Sequence, residues 1–139
     1  MAGSSLYETD VVLWSVEQAD ALRRRAFDEL DLENIVEEIT SVGNEQIHAV
    51  ESFLVQALAH DLKADAWPSS REVPSWRAEA RRFRGEAIDR FTKSMQQKID
   101  LAKLYWRARR AMPDSIDGVQ PLPVPEVCPW NLDELLKEP

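Results

Sequence analysis

Asp31 to Asp65 reads DLENIVEEITSVGNEQIHAVESFLVQALAHDLKAD. These thirty-five residues contain no proline. Gly43 is the one weak helix former among them, at a cost of about 1 kcal/mol. Ile35, Ile39, Val42, Gln46, Phe53, Ala57 and His60 share one helical face, and Val36, Gly43, Val50, Leu54 and Leu58 widen it. Asp31 is placed to cap the helix, and Glu33 puts an anion in its first turn, where the helix dipole favours one. The pattern predicts one helix over 31–65. At about 1.5 Å per residue it would be roughly 50 Å long, more than the roughly 37 Å diameter of a compact domain this size. It is therefore expected to bend around Gly43, or to protrude and find a partner.

Shorter helices flank it. The first is expected over about 10–26, capped by Thr9 or Asp10, carrying Val11, Trp14, Ala21 and Leu22 and closed by Arg23-Arg24-Arg25. Pro68 and Pro74 mark a loop, and a helix follows over 75–92 with Ser75 as its cap and Trp76, Ala80, Phe83, Ala87 and Phe91 as its stripe. The stripe loses phase near Thr92–Ser94, so a further helix is expected over 95–112. That helix looks apolar on two sides, Met95-Ile99-Ala102-Trp106 and Leu101-Leu104-Ala108-Met112. Five prolines between 113 and 130 predict an extended tail, and Asn131 with Glu134 predicts a capped short helix over 131–137. The expected fold is a single all-α domain over 1–139. It is an irregular bundle of four main helices with a long second helix and a proline-rich C-terminal segment.

Charge is segregated. The net −8 divides into −10 over residues 1–65, +7 over 66–112 and −5 over 113–139. The basic middle third is expected to lie beside the acidic long helix, with Arg77, Arg81 and Arg84 as counter-charges. A single cysteine suits a reducing compartment, the N-terminus has no secretory pattern, and no apolar run approaches membrane-spanning length. A soluble cytoplasmic protein is expected, with no membrane contact.

Several segments together resemble a bacterial family known only as domain of unknown function 29. They are Leu6-Tyr7-Glu8-Thr9-Asp10 with Trp14, Gln18-Ala19, Leu30-Asp31 with the acidic helix behind it, Gly43, Glu51-Ser52, His60, Leu62-Lys63, Pro68, Ser75-Trp76, Tyr105 and Cys128-Pro129. The chain departs from the family pattern in having Ala64 and Ala66 after the lysine where aromatics are usual. It also has Ser94-Met95-Gln96 where a proline often stands. The resemblance implies an all-helical fold and assigns no substrate, cofactor or catalytic residue.

The residues themselves support no catalytic set, no metal site and no cofactor. Glu45 and His48 match one Glu-x-x-His step, where a di-iron bundle needs two. Glu33 and Glu37 share a face while Glu38 turns away, so they do not converge on a cation. His60 lies on the apolar stripe and reads as a structural imidazole tying the long helix to the loop or the tail. The candidate polar site is His60, Glu37, Glu38, Arg77, Arg81 and Arg84. The function expected is a non-enzymatic bacterial interaction or regulatory module with an unknown protein partner, self-associating as a homodimer. The alternatives are a nucleic-acid-associated protein using the basic helices over 75–112, and a metal-dependent enzyme centred on His60. The acidic whole disfavours the first.

Overall fold

The computed structural model describes residues 2–137, with side chains from Leu6 onward; of the expected 1–139 span, Met1, Glu138 and Pro139 lie outside the described residues. Six α-helices follow in order: α1 Ala2–Thr9, α2 Val11–Arg23, α3 Leu32–Ala66, α4 Val73–Arg90, α5 Leu101–Arg110 and α6 Leu132–Leu135. Short 3-10 turns occur at Phe27–Glu29 and Lys93–Met95. The fold is all-α, with four main helices and no strand among the described residues. The chain divides into two compact units, Met1–Asn44 and Glu45–Pro139. Helix α3 runs unbroken through the division, which falls just after Gly43.

The N-terminal unit is built on polar contacts. Asp10 caps α2 by accepting from the Leu13 N–H at 3.0 Å. Helix α2 ends at Arg23 rather than near 26, because Arg25 turns left-handed at φ 55°. The Ala26 N–H then closes back onto the Ala21 carbonyl at 2.9 Å, so the turn satisfies a carbonyl of the last helical turn. The buried residues are Trp14, Gln18, Ala21 and Asp31. Helix α1, which precedes the first helix expected from the sequence, brings Tyr7 edge-on to Trp14, with ring centroids 4.8 Å apart.

The C-terminal unit has a conventional apolar core. Val50, Leu54, Leu58 and Leu62 of α3 pack with Ala87 of α4, Leu104, Tyr105 and Ala108 of α5, and Leu135 of α6. A second cluster joins Ala64, Ala66, Trp67 and Trp76. Helix α4 begins at Val73, so Ser75 lies inside it rather than capping it. Pro74 sits in the first turn, where its missing N–H leaves no bond unmade.

The expected helix over 95–112 starts only at Leu101. Phe91 and Thr92 are extended, and Asp100 caps α5 by accepting from the Lys103 N–H at 3.3 Å. Met95 reaches the core from the 3-10 turn and Ile99 from the loop before α5, so they form no second apolar side on α5. Asp117 and Gly118, both at positive φ, make a tight turn that pairs Ile116 with Val119. The proline-rich tail then crosses the unit. The Leu122 N–H donates to the Ala66 carbonyl at 2.9 Å, and the Tyr105 hydroxyl donates to the Pro125 carbonyl at 2.6 Å. Asn131 and Glu134 cap α6 reciprocally.

Candidate functional site

The candidate residues fall into separate small arrangements. Within the C-terminal unit Arg77 bridges two carboxylates of α3: Nη1 to Asp61 Oδ1 at 2.7 Å and Nη2 to Asp65 Oδ1 at 2.6 Å. The acidic end of α3 and the basic α4 therefore lie side by side through this one arginine. Arg81 is exposed, and the Nε of Arg84 is buried with no hydrogen-bond partner. His60 is half-buried: its Nδ1 lies 2.8 Å from the Gln56 carbonyl of its own helix, and its ring centroid is 5.5 Å from that of Phe83. The hydrogen bond is local to α3, and the tertiary contact is with α4.

Cys128 is partly buried, and burial pushes its thiol above its ordinary pKa; Sγ lies 3.3 Å from the Trp130 carbonyl. A thiol held protonated and donating to backbone is a packing group at neutral pH. Among the described residues no group of three or more His, Cys, Asp or Glu side chains is placed to hold a metal ion. A cleft of about 400 Å³ opens between the loop after α3 and the 116–122 turn, lined by Trp67, Pro68, Arg71, Ile116 and Leu122.

Glu38 is drawn inward in the N-terminal unit. The Tyr7 hydroxyl donates to its carboxylate, and that bond, with the nearby acids, raises the tyrosine above its usual value. Beside it Asp31 anchors the start of α3. Its Oδ2 accepts from the Asn34 amide at 2.8 Å and from the Trp14 indole at 3.0 Å, and its backbone N–H donates to the Gln18 side-chain oxygen at 2.7 Å. The Asn34 side chain foremost, with the indole and the Asn34 backbone, holds the Asp31 carboxyl below its ordinary range. These partners define which face of α3 turns toward α1 and α2. It is the polar one, carrying Asp31, Asn34 and Glu38.

The apolar face of the same stretch is left uncovered. Leu32, Val36, Ile39 and Val42 are each more than 60% exposed. Leu32, Val36 and Ile39 are spaced four and three residues apart, and that spacing continues through Gly43, Gln46, Val50, Phe53 and Ala57. Val50 and Ala57 are buried in the C-terminal unit, so one seam along α3 is covered at its C-terminal end and open at its N-terminal end. Helix α2 adds Val12 and Val16, a turn apart and exposed. Ten of the fourteen strongly exposed large apolar side chains among the described residues lie before Asn44. Monomeric proteins rarely leave such a surface open without a use for it. The sequence places Ile39 and Val42 on one apolar face of the long helix. Their periodicity identified the face, and nothing in it revealed that α2 would choose the other one.

Acids flank the seam. Glu33 and Glu37 stand beside it, exposed and without an ion pair among the described residues, and the unit as a whole carries ten acids against three bases, a net of −7. The opposite character appears on α5. Tyr105, Leu104 and Ala108 face its core, and Trp106 stands on the other side, 54% exposed, with Arg110 stacked over its ring at 4.5 Å, Arg107 next to it in sequence and Lys103 about one turn back.

No helix among the described residues is long and apolar enough to cross a membrane. None of the curated proteins matches the chain. Its structure is similar to that of an alpha-helical protein of unknown function from Rhodospirillum rubrum, with a TM-score of 0.65 and 25% sequence identity over 95% of this chain and 89% of that one. The likeness spans both units. The family described as Domain of unknown function DUF29 matches residues 6–139, essentially the whole sequence, and the chain belongs to that family.

Proposed function

We propose that this protein is a bacterial, cytoplasmic protein-interaction module rather than an enzyme, and that its binding surface is the open seam of α3. The observation that carries this reading is the inverted helix start. Polar residues Asp31, Asn34 and Glu38 are engaged inside the N-terminal unit, while Leu32, Val36, Ile39 and Val42 face outward. Fully burying one such side chain is worth about 1.5–3 kcal/mol, so covering four that are about two-thirds exposed is worth roughly 4–8 kcal/mol before association costs. The flanking Glu33 and Glu37 favour a partner with basic residues beside its own apolar stripe. The lone, partly buried Cys128 supports a reducing compartment, and the Rhodospirillum rubrum relative supports a bacterial setting.

Co-purification from the native host tests the reading. Wild-type protein is compared with the Val36→Asp/Ile39→Asp variant, both checked for unchanged helicity. Proteins, or further copies of the chain, that associate with the wild type and are lost from the variant are the expected result. An identical set of associated proteins from both would remove the seam as the binding surface.

A further inference from the structure

Resting on that reading, we propose that the occupant of the open α3 seam is the outer face of α5 of a second copy of the same chain. Two surfaces on the molecule are complementary and unspent. The seam of Leu32, Val36 and Ile39 is apolar, edged by Glu33 and Glu37, and belongs to a unit of net −7. The outer face of α5 presents one large exposed aromatic, Trp106, within a segment 93–112 that carries six bases against one acid. Lys103 and Arg107 are exposed and make no ion pair among the described residues, and Arg110 is engaged only in stacking on Trp106.

Tryptophan and arginine are the residue types that most often anchor a protein interface, and an indole set between branched aliphatic side chains fills such a seam. Gly43, at the end of the open stretch, has nothing within 4 Å of where a Cβ would stand, so a partner can approach the helix backbone closely there. The seam does not suit another seam. Two seams, each edged by Glu33 and Glu37 on a unit of net −7, repel, whereas seam on α5 pairs acids with bases. A nucleic acid would use the bases of α5 but leave the apolar seam uncovered, and the chain carries net −8. Each copy offers one face of each kind, so the seam of one copy has a partner surface on another.

The test is charge reversal with complementation, read by sedimentation of the full chain. Wild-type protein is expected to rise from 15.9 kDa toward twice that mass between low and high micromolar concentration, with weaker association at high salt. Glu33→Arg/Glu37→Arg and Arg107→Glu/Arg110→Glu each change only exposed side chains. Each variant alone should associate at least about tenfold more weakly, and an equimolar mixture should recover association, because the mixed pair has one native contact and one contact with both charges reversed.

A wild-type mass fixed at 15.9 kDa at every concentration overturns the proposal. In that case, loss of other associated proteins from the Val36→Asp/Ile39→Asp variant would still uphold the interaction reading with a different partner. Association unchanged in both reversal variants overturns the pairing of seam with α5. Salt-dependent binding of an oligonucleotide, abolished by Arg107→Glu/Arg110→Glu while the wild type stays monomeric, overturns it in favour of nucleic acid.

Discussion

The two units of this chain solve burial in opposite ways. The C-terminal unit hides Val50, Leu54, Leu58, Leu62 and Leu104 together, and its ionic contacts, such as those of Arg77, lie at the rim. The N-terminal unit hides a carboxylate, an indole and a side-chain amide that hydrogen-bond around Asp31, and turns its aliphatic side chains outward. Hydrophobic burial is non-directional and gains with area, so the first unit is built for stability. A hydrogen-bonded centre contributes less net free energy but fixes one orientation of α2 against the start of α3. The open seam is a consequence of that orientation.

Truncation in the two units should break the symmetry most sharply. Leu54 is fully buried, so Leu54→Ala should cost about 2–5 kcal/mol in a denaturant unfolding experiment. Val36 has the same chemical character but stands exposed, and Val36→Ala should change the stability of dilute monomer by no more than about 0.5 kcal/mol. Comparable losses at both positions would mean that the seam is covered in the isolated chain.

The polar centre makes the next largest prediction. Gln18 accepts from the buried Asp31 N–H, and Gln18→Ala leaves that donor without a partner, at about 1–3 kcal/mol. Hydrogen exchange should locate the loss in residues of the first unit, with the core amides of α5 unchanged. A uniform loss across both units would instead show that they unfold together.

Much of this fold was legible in the sequence, and the illegible parts share a cause. The four main helices, the Asp10 and Asn131 caps and the break near Thr92 are encoded in local signals, namely capping oxygens, prolines and apolar spacing, whereas α1 is not. Spacing names an apolar face but not what covers it. The face of Ile39 and Val42 is therefore legible while its exposure is not, and Met95 and Ile99 read as a helical stripe when they are buried from a 3-10 turn and the loop before α5. Tyr7 and Gln18 were missed as structural residues because a hydrogen bond spanning 31 positions, as from Tyr7 to Glu38, leaves no periodic trace. Trp14 was seen only as an apolar residue, and its indole N–H gives it its partner. His60 was singled out for lying on the stripe, although its hydrogen bond stays within its own helix.

Acid should also separate the units. Asp31 is held below its unfolded value, so the stability it contributes is present above that value, about pH 3.9, and is lost as pH falls through the lower folded one. Protonation removes the charge that the Asn34 amide and the Trp14 indole donate to, and the first unit should loosen there. Protection of the Trp14 indole N–H against exchange, followed by NMR from neutral to acid pH, reports this directly. In Asp31→Asn the acid-dependent component should flatten, with weaker protection at neutral pH. An unaltered acid response in that variant would assign the transition to another carboxylate.

The smallest expected effect concerns His60, the residue that stood out most in the sequence. Its Nδ1 meets the Gln56 carbonyl four residues back. That carbonyl lies within α3, where the helix ladder already gives it an N–H partner, so losing the imidazole strands no buried acceptor. What His60→Ala removes is a half-buried ring beside Phe83; what it adds is a better helix former. The two nearly cancel, and the change should stay within about 0.5 kcal/mol by denaturant midpoint. A loss several times larger would mean that the ring packs α3 against α4 as firmly as the aliphatic core does. The C-terminal unit would then have a second polar anchor beside Arg77, and the contrast between the two units would narrow.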